Sequence, residues 1–121
     1  MKRRELGIRG EKIARDFLEQ NGYKIIETNY RCPEGEIDIV AQTVDTLVFV
    51  EVRTKRSRKF GTPEESITHQ KMKRLSAVAA HYGQHRENLP PSRRIDVLAI
   101  QMEKSGKLSR IELIENAVVE S

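Results

Sequence analysis

Along the first twenty positions Leu6, Ile13, Ala14, Phe17 and Leu18 recur at helical spacing with charged residues between them, which predicts an amphipathic helix over residues 3–20. Asn21-Gly22 supplies a left-handed cap to end it. From Tyr23 the period shortens toward two around Ile25 and Ile26, predicting a first strand over 23–30 that closes in the turn Cys32-Pro33-Glu34-Gly35. Residues 36–41 and 47–53 read as a second and a third strand, with 42–46 as the hairpin loop between them. Thr62, Pro63 and Glu65 form a helix-start signature, a capping box with proline in the first turn, and predict a second helix running to about Tyr82 and stopping near Gly83. A polar loop with prolines over 84–92 precedes strands at 94–101 and 108–114, which Ser105-Gly106 separates. The order αβββαββ predicts an α/β protein whose mixed sheet carries helices on its faces.

Parity within the strands locates the chemistry. In the third strand Val48, Val50 and Val52 share one face, while Leu47 and Phe49 open the other, which continues as Glu51 and Arg53. Two apolar faces mark a central strand, so Glu51 stands where a buried sheet emerges into solvent. In the second strand the same alternation puts Ile37 and Ile39 on one face and Glu36, Asp38 and Val40 on the other. Asp38 and Glu51 are thereby expected side by side across the hairpin. Adjacent carboxylates need a compensating cation: either a divalent metal, or Arg53 or a neighbouring lysine in an ordinary surface network. Glu11 borders the apolar stripe of the first helix. Lys71, four residues after Ile67 and four before Leu75, interrupts that of the second, so it either snorkels along the core edge or points at something negative.

Composition narrows the partners. The chain has 121 residues, of which 37% are hydrophobic, so residues 1–121 are expected to form a single domain with its own core. Lys plus Arg number 22 against 18 Asp plus Glu, a net charge of +4 that weakly favours a polyanionic partner. Aromatics are 5% with no tryptophan, which disfavours a base-stacking platform for single strands. Neither a membrane-length apolar stretch nor a signal core is present, and a cytoplasmic location is expected. Cys32 is the sole cysteine, which excludes an internal disulfide and a zinc site built on paired cysteines, and it reads as a small residue at a strand end. His69, His81 and His85 read as surface residues: His81 and His85 are four apart at a helix end but lack a third ligand. Asp96 reads as structural, paired with Arg93 or Arg94 at a strand edge.

Gly10-Glu11 with Ala14, Phe17 and Leu18, then Asn21-Gly22-Tyr23, Asn29-Tyr30-Arg31, Gly35-Glu36-Ile37-Asp38-Ile39, Val48-Phe49-Val50-Glu51-Val52-Arg53 and Arg94-Ile95-Asp96-Val97 resemble the YraN family of uncharacterised bacterial proteins. That family is placed in the restriction-endonuclease-like superfamily with the PD-(D/E)xK motif, whose more distant members include Holliday-junction resolvases. The resemblance implies a restriction-endonuclease-like fold with a central mixed five-stranded sheet. It also implies a site in which Asp38 and Glu51 hold Mg²⁺ or Mn²⁺, with the Val52 carbonyl as a further ligand and Glu11 ligating directly or through water. The implied reaction is metal-dependent hydrolysis of DNA phosphodiesters, branched or structured DNA included.

One position departs from the motif: Arg53 stands where the superfamily carries a lysine. Arginine keeps its proton and cannot serve as a base, although it can clamp a phosphate. Lys55 on the same strand face or Lys71 from the second helix are the alternative lysines, and Lys71 is favoured for its apolar neighbours. Lys55, Arg56, Arg58 and Lys59 are expected to contact phosphates, and Glu36 either supports the site or is an exposed strand residue. Symmetric nicking of a duplex or junction would suit a homodimer. Two other readings stay open: a catalytically inactive nucleic-acid-binding or adaptor module on the same fold, and a structural partner of another protein.

Overall fold

The computed structural model describes residues 2–56 and 61–118. Helix α1 (Arg3–Gln20) leads into β1 (Lys24–Cys32), β2 (Gly35–Thr43) and β3 (Thr46–Lys55); a single 3-10 turn (Glu64–Ser66) precedes α2 (His69–Gln84), β4 (Ser92–Met102) and β5 (Leu108–Val118). The strands form one sheet in the order β1-β2-β3-β4-β5. Neighbours run antiparallel apart from β3 and β4, which pair in parallel because α2 carries the chain back across the sheet. This is the mixed five-stranded α/β architecture in the order αβββαββ.

The helices lie on opposite faces. Ala14 and Leu18 of α1 pack on Ile39, Ala41, Val48, Val50, Leu98 and Ile100, whereas Leu75, Val78, Ala79 and Tyr82 of α2 pack on Tyr30, Ile37, Val40, Phe49 and Ile95. β3 is covered on both sides, which is why it reads as an unbroken apolar run from Leu47 to Val50. The alternation expected for β3 holds, with Val48 and Val50 toward α1 and Leu47 and Phe49 toward α2. Helix α1 ends as its sequence predicts: Gly22 adopts φ 87°, and the Tyr23 and Gly22 N–H groups donate to the Leu18 and Glu19 carbonyls in a Schellman arrangement.

Three expectations need correction. Ile37 and Ile39 do not share a face: Ile37 belongs to the α2-side core with Val40, and Ile39 to the α1-side core with Ala41. The strand changes sides at Asp38, where β2 loses β3 as its partner beyond Ile39↔Val50 and where Asn29 of the facing strand turns to φ 52°. The second helix does not begin at Thr62. There the Thr62 N–H and hydroxyl both donate to Glu65 Oε1, at 3.2 and 2.8 Å, but the resulting turn is short because Ile67 is extended at ψ 116° and buried. Thr68 is the true cap, accepting the Lys71 N–H at 3.1 Å, so Ile67 is not part of the α2 stripe and Lys71 stands in the first turn. The β2–β3 connection is also tighter than expected, with pairing that extends to Thr43↔Thr46.

Candidate metal and phosphate site

The loss of ladder pairing between β2 and β3 is what builds the site. Beyond Ile39↔Val50 the Val52 N–H is given to a side chain: Asp38 Oδ2 accepts it at 2.7 Å. Asp38 is thereby fixed at the point where the two strands part. Helix α1 approaches the same point, because Gly10 lets it lie against Thr54; a Cβ at residue 10 would collide with the Thr54 hydroxyl. Between them opens a cleft of about 370 Å³ lined by Arg3, Leu6, Gly7 and Glu11 of α1, Asp38, residues Val52 to Lys55 of β3, and Ser66.

Glu51 sits behind this cleft rather than in its wall. Only 5% of its surface is exposed, and its Oε2 lies 3.1 Å from Arg53 Nη2 and 3.5 Å from Lys71 Nζ. Burial pushes the Glu51 carboxyl up to about 8; the charge and side chain of Asp38 push the same way, and Lys71 and Arg53 oppose them. Glu11 is raised as well, first by burial and then by Asp38, with Arg15 opposing. Both carboxyls resist ionisation chiefly because they are buried, and the charge of Asp38 adds to this. The Arg53 Nε–H is buried and, among the described residues, meets no hydrogen-bond acceptor, an unmet donor of the kind that costs on the order of 1–3 kcal/mol.

The structure therefore brings Asp38, Glu51, Arg53 and Lys71 into one cluster, with Glu11 and Val52 on the cleft beside it. Glu11, Asp38 and Glu51 do not converge within 4.8 Å as a group of three; Glu11 and Asp38 line the cleft together, while Glu51 does not. The carboxylate oxygens offered here are the hard-oxygen chemistry of Mg²⁺ or Mn²⁺. Lys55 lines the cleft and donates to the Gly61 carbonyl at 3.3 Å, and Arg56 follows it just past β3; Arg58 and Lys59 lie outside the described residues. Glu36 lies 3.4 Å from Arg31 Nε, and its charge reaches Glu11. Arg3 and Ser66, which also line the cleft, carried no sequence signal that marked them as site residues.

Asp96 is structural, as expected, but fully buried rather than at an edge. Arg94 Nε donates to both of its oxygens at 3.1 and 3.0 Å and the Asn116 N–H donates at 2.8 Å, tying β4 to the end of β5. His81 is not a simple surface residue, since its Nδ1 lies 2.8 Å from the Tyr30 hydroxyl and its ring stacks on His85 with centroids 4.0 Å apart.

Comparison with known proteins defines the class. The model of the uncharacterised protein family UPF0102 matches residues 10–100, and the chain belongs to that family, the YraN family of its motifs. Its relatives include UPF0102 proteins of Dehalococcoides mccartyi, 49% identical over 98% of this chain and 96% of that one, and of Caldicellulosiruptor saccharolyticus, 44% identical over 97% and 99%. That of Moorella thermoacetica is 44% identical over 97% and 98%. Among solved structures, Pyrococcus furiosus SfsA in complex with Ca²⁺ aligns with a TM-score of 0.44 and 18% identity, over 93% of this chain and 63% of that one.

Proposed function

We propose that this protein is a metal-dependent nuclease that hydrolyses DNA phosphodiesters, with Asp38 and Glu51 as the metal ligands. The observation that carries the reading is the Asp38–Glu51 pair itself: a buried carboxyl raised to about 8 behind a cleft, beside Asp38 in the cleft wall, with a basic helix end and a basic strand end lining that cleft. Such a pair is unstable without a cation, and the divalent ion it would hold supplies charge neutralisation at the phosphate and acidifies water.

The chain's own groups would do the rest. Asp38 is held at Oδ2 by the Val52 N–H, and its carboxylate would be one of the two that hold the ion. Arg53, once its guanidinium leaves Glu51, can satisfy its unmet Nε–H on a phosphate oxygen and clamp it bidentately. Lys71, in the first turn of α2, stays beside Glu51 and can donate to water or to a phosphoryl oxygen there. Glu11 on the cleft wall can accept a hydrogen bond from a water that reaches the ion.

One observation favours a second reading, a nucleic-acid-binding module without catalysis. Arg53 and Lys71 both contact the same Glu51 oxygen, so the protein's own cations neutralise the carboxyl that an ion would need. The experiment that separates the two is calorimetric titration of Mn²⁺ into the wild type and Asp38→Ala, with cleavage of plasmid and four-way-junction DNA in the same buffer. The nuclease reading expects binding and scission in the wild type, both lost in Asp38→Ala, and activity kept or raised in Arg53→Lys. Metal binding without scission moves the assignment to the binding module. No metal binding overturns the site.

A further inference from the structure

We propose that Cys32, Glu34 and His81 form a second metal site, selective for a zinc-class divalent ion, on the α2 side of the sheet. Among the described residues these three are the group of cysteine, histidine and acidic side chains whose ligand atoms all lie within 4.8 Å of one another. The site stands apart from the carboxylate cluster, roughly 15 Å along α2 from Lys71, and does not depend on the nuclease reading.

The fold has specific reasons for bringing them together. Cys32 pairs with Gly35 at the end of the β1–β2 ladder, leaving Pro33 and Glu34 as a tight turn. Gly35 adopts φ 147°, and a Cβ there would meet Val78 Cγ2 at 3.3 Å, so the turn lies directly on α2. His81 follows Val78 by three residues on the same face of that helix. Its ring is doubly oriented. The Tyr30 hydroxyl is 2.8 Å from Nδ1, and the ring stacks on His85, whose own Nδ1 donates to the His81 carbonyl at 2.8 Å. An imidazole oriented by a hydrogen bond at one nitrogen is the arrangement in which the other ligates a metal.

The donor set decides the ion. Sulfur, nitrogen and one carboxylate oxygen suit Zn²⁺ with water as fourth ligand, and the thiolate selects against Mg²⁺. At the usual Zn–S, Zn–N and Zn–O lengths tetrahedral donors stand roughly 3.3–3.7 Å apart. The present spacing closes onto an ion by side-chain rotation, chiefly of Glu34, which is exposed on the turn. Binding releases the Cys32 thiol proton to solvent and ties the β1–β2 turn to α2, bracing the strand that carries Asp38.

The test uses the metal-free full chain titrated with Co²⁺ as a spectroscopic substitute, then with Zn²⁺ by calorimetry in excess Mg²⁺. One equivalent is expected to bind with a thiolate-to-cobalt charge-transfer absorption in the near ultraviolet. Cys32→Ser should abolish that absorption, His81→Gln and Glu34→Gln should each weaken Zn²⁺ binding at least tenfold, and Asp38→Ala should leave both unchanged. Glu34→Gln sits on an exposed turn, so its effect is readable even if a change at half-buried Cys32 perturbs folding. The proposal is overturned if the wild type shows no charge-transfer band, if His81→Gln and Glu34→Gln bind Zn²⁺ as the wild type does, or if the ion is lost in Asp38→Ala and kept in Cys32→Ser.

Discussion

Glu51 is held between an aspartate and two cations, and its burial makes the charged form costly. With its carboxyl raised to about 8 in the folded protein against an ordinary 4.5, the native state keeps a proton that the unfolded chain has already released between those values. Without metal, stability therefore falls as pH rises through that interval and stays low above it. Glu51→Gln is neutral throughout and lacks this slope. Urea unfolding in chelator at about pH 5 and about pH 8.5 should show the wild type losing at least about 1.4 kcal/mol more than Glu51→Gln, one pKa unit's worth. Parallel losses would mean that Arg53 and Lys71 already balance the charge. Parity in β3 singled out Glu51, whereas the parity read for β2, which set Asp38 on one face with Glu36 and Val40, fails because the strand changes sides at Asp38. The reach of Lys71 was expected for a mistaken reason, an apolar stripe through Ile67, when what points it at Glu51 is its place in the first turn of α2.

At the scale of elements, the cleft depends on how closely α1 lies on β3. Gly10→Ala places a methyl against the Thr54 hydroxyl and is expected to cost about 1–3 kcal/mol, as overpacking of a well-fitted contact does. Thr54→Ala removes the obstructing oxygen, so the double variant should be more stable than the sum of the two single losses requires; a double-mutant cycle of unfolding free energies measures this. Strict additivity would show that α1 simply shifts. The helix and strand assignments were mostly legible because β3 is covered on both faces and α1 on one, which writes distinct periods into the chain. The start of α2 was not, because Thr62 with Glu65 and Thr68 each form local caps, and only the packing of Ile67 decides which one a long helix follows.

For the whole molecule, the net charge of +4 says little by itself, and its distribution says more. Arg3 of α1 and Arg53 and Lys55 of β3, from distant parts of the chain, border one cleft. If DNA occupies it, binding should weaken steeply with salt, and the double variant Lys55→Ala with Arg56→Ala should lower the slope of log K against log salt by about 1.8, the loss of two phosphate contacts on a duplex. Fluorescence anisotropy across a salt series reads that slope; an unchanged slope would place the DNA elsewhere. No described helix is long and apolar enough to cross a membrane.

The sequence by itself determined the element order, the doubly covered β3, the capped end of α1 and the membership of UPF0102, since each rests on local periodicity, turn chemistry or short motifs. Tertiary structure alone decided the rest. Asp38 changes face where β2 and β3 part, Glu51 recedes behind the cleft onto Arg53 and Lys71, and His81 comes to lie beside Cys32 and Glu34. The reason is physical: strand separation and helix placement are set by what the two cores must bury, and those contacts join residues far apart in the chain, where no local pattern records them.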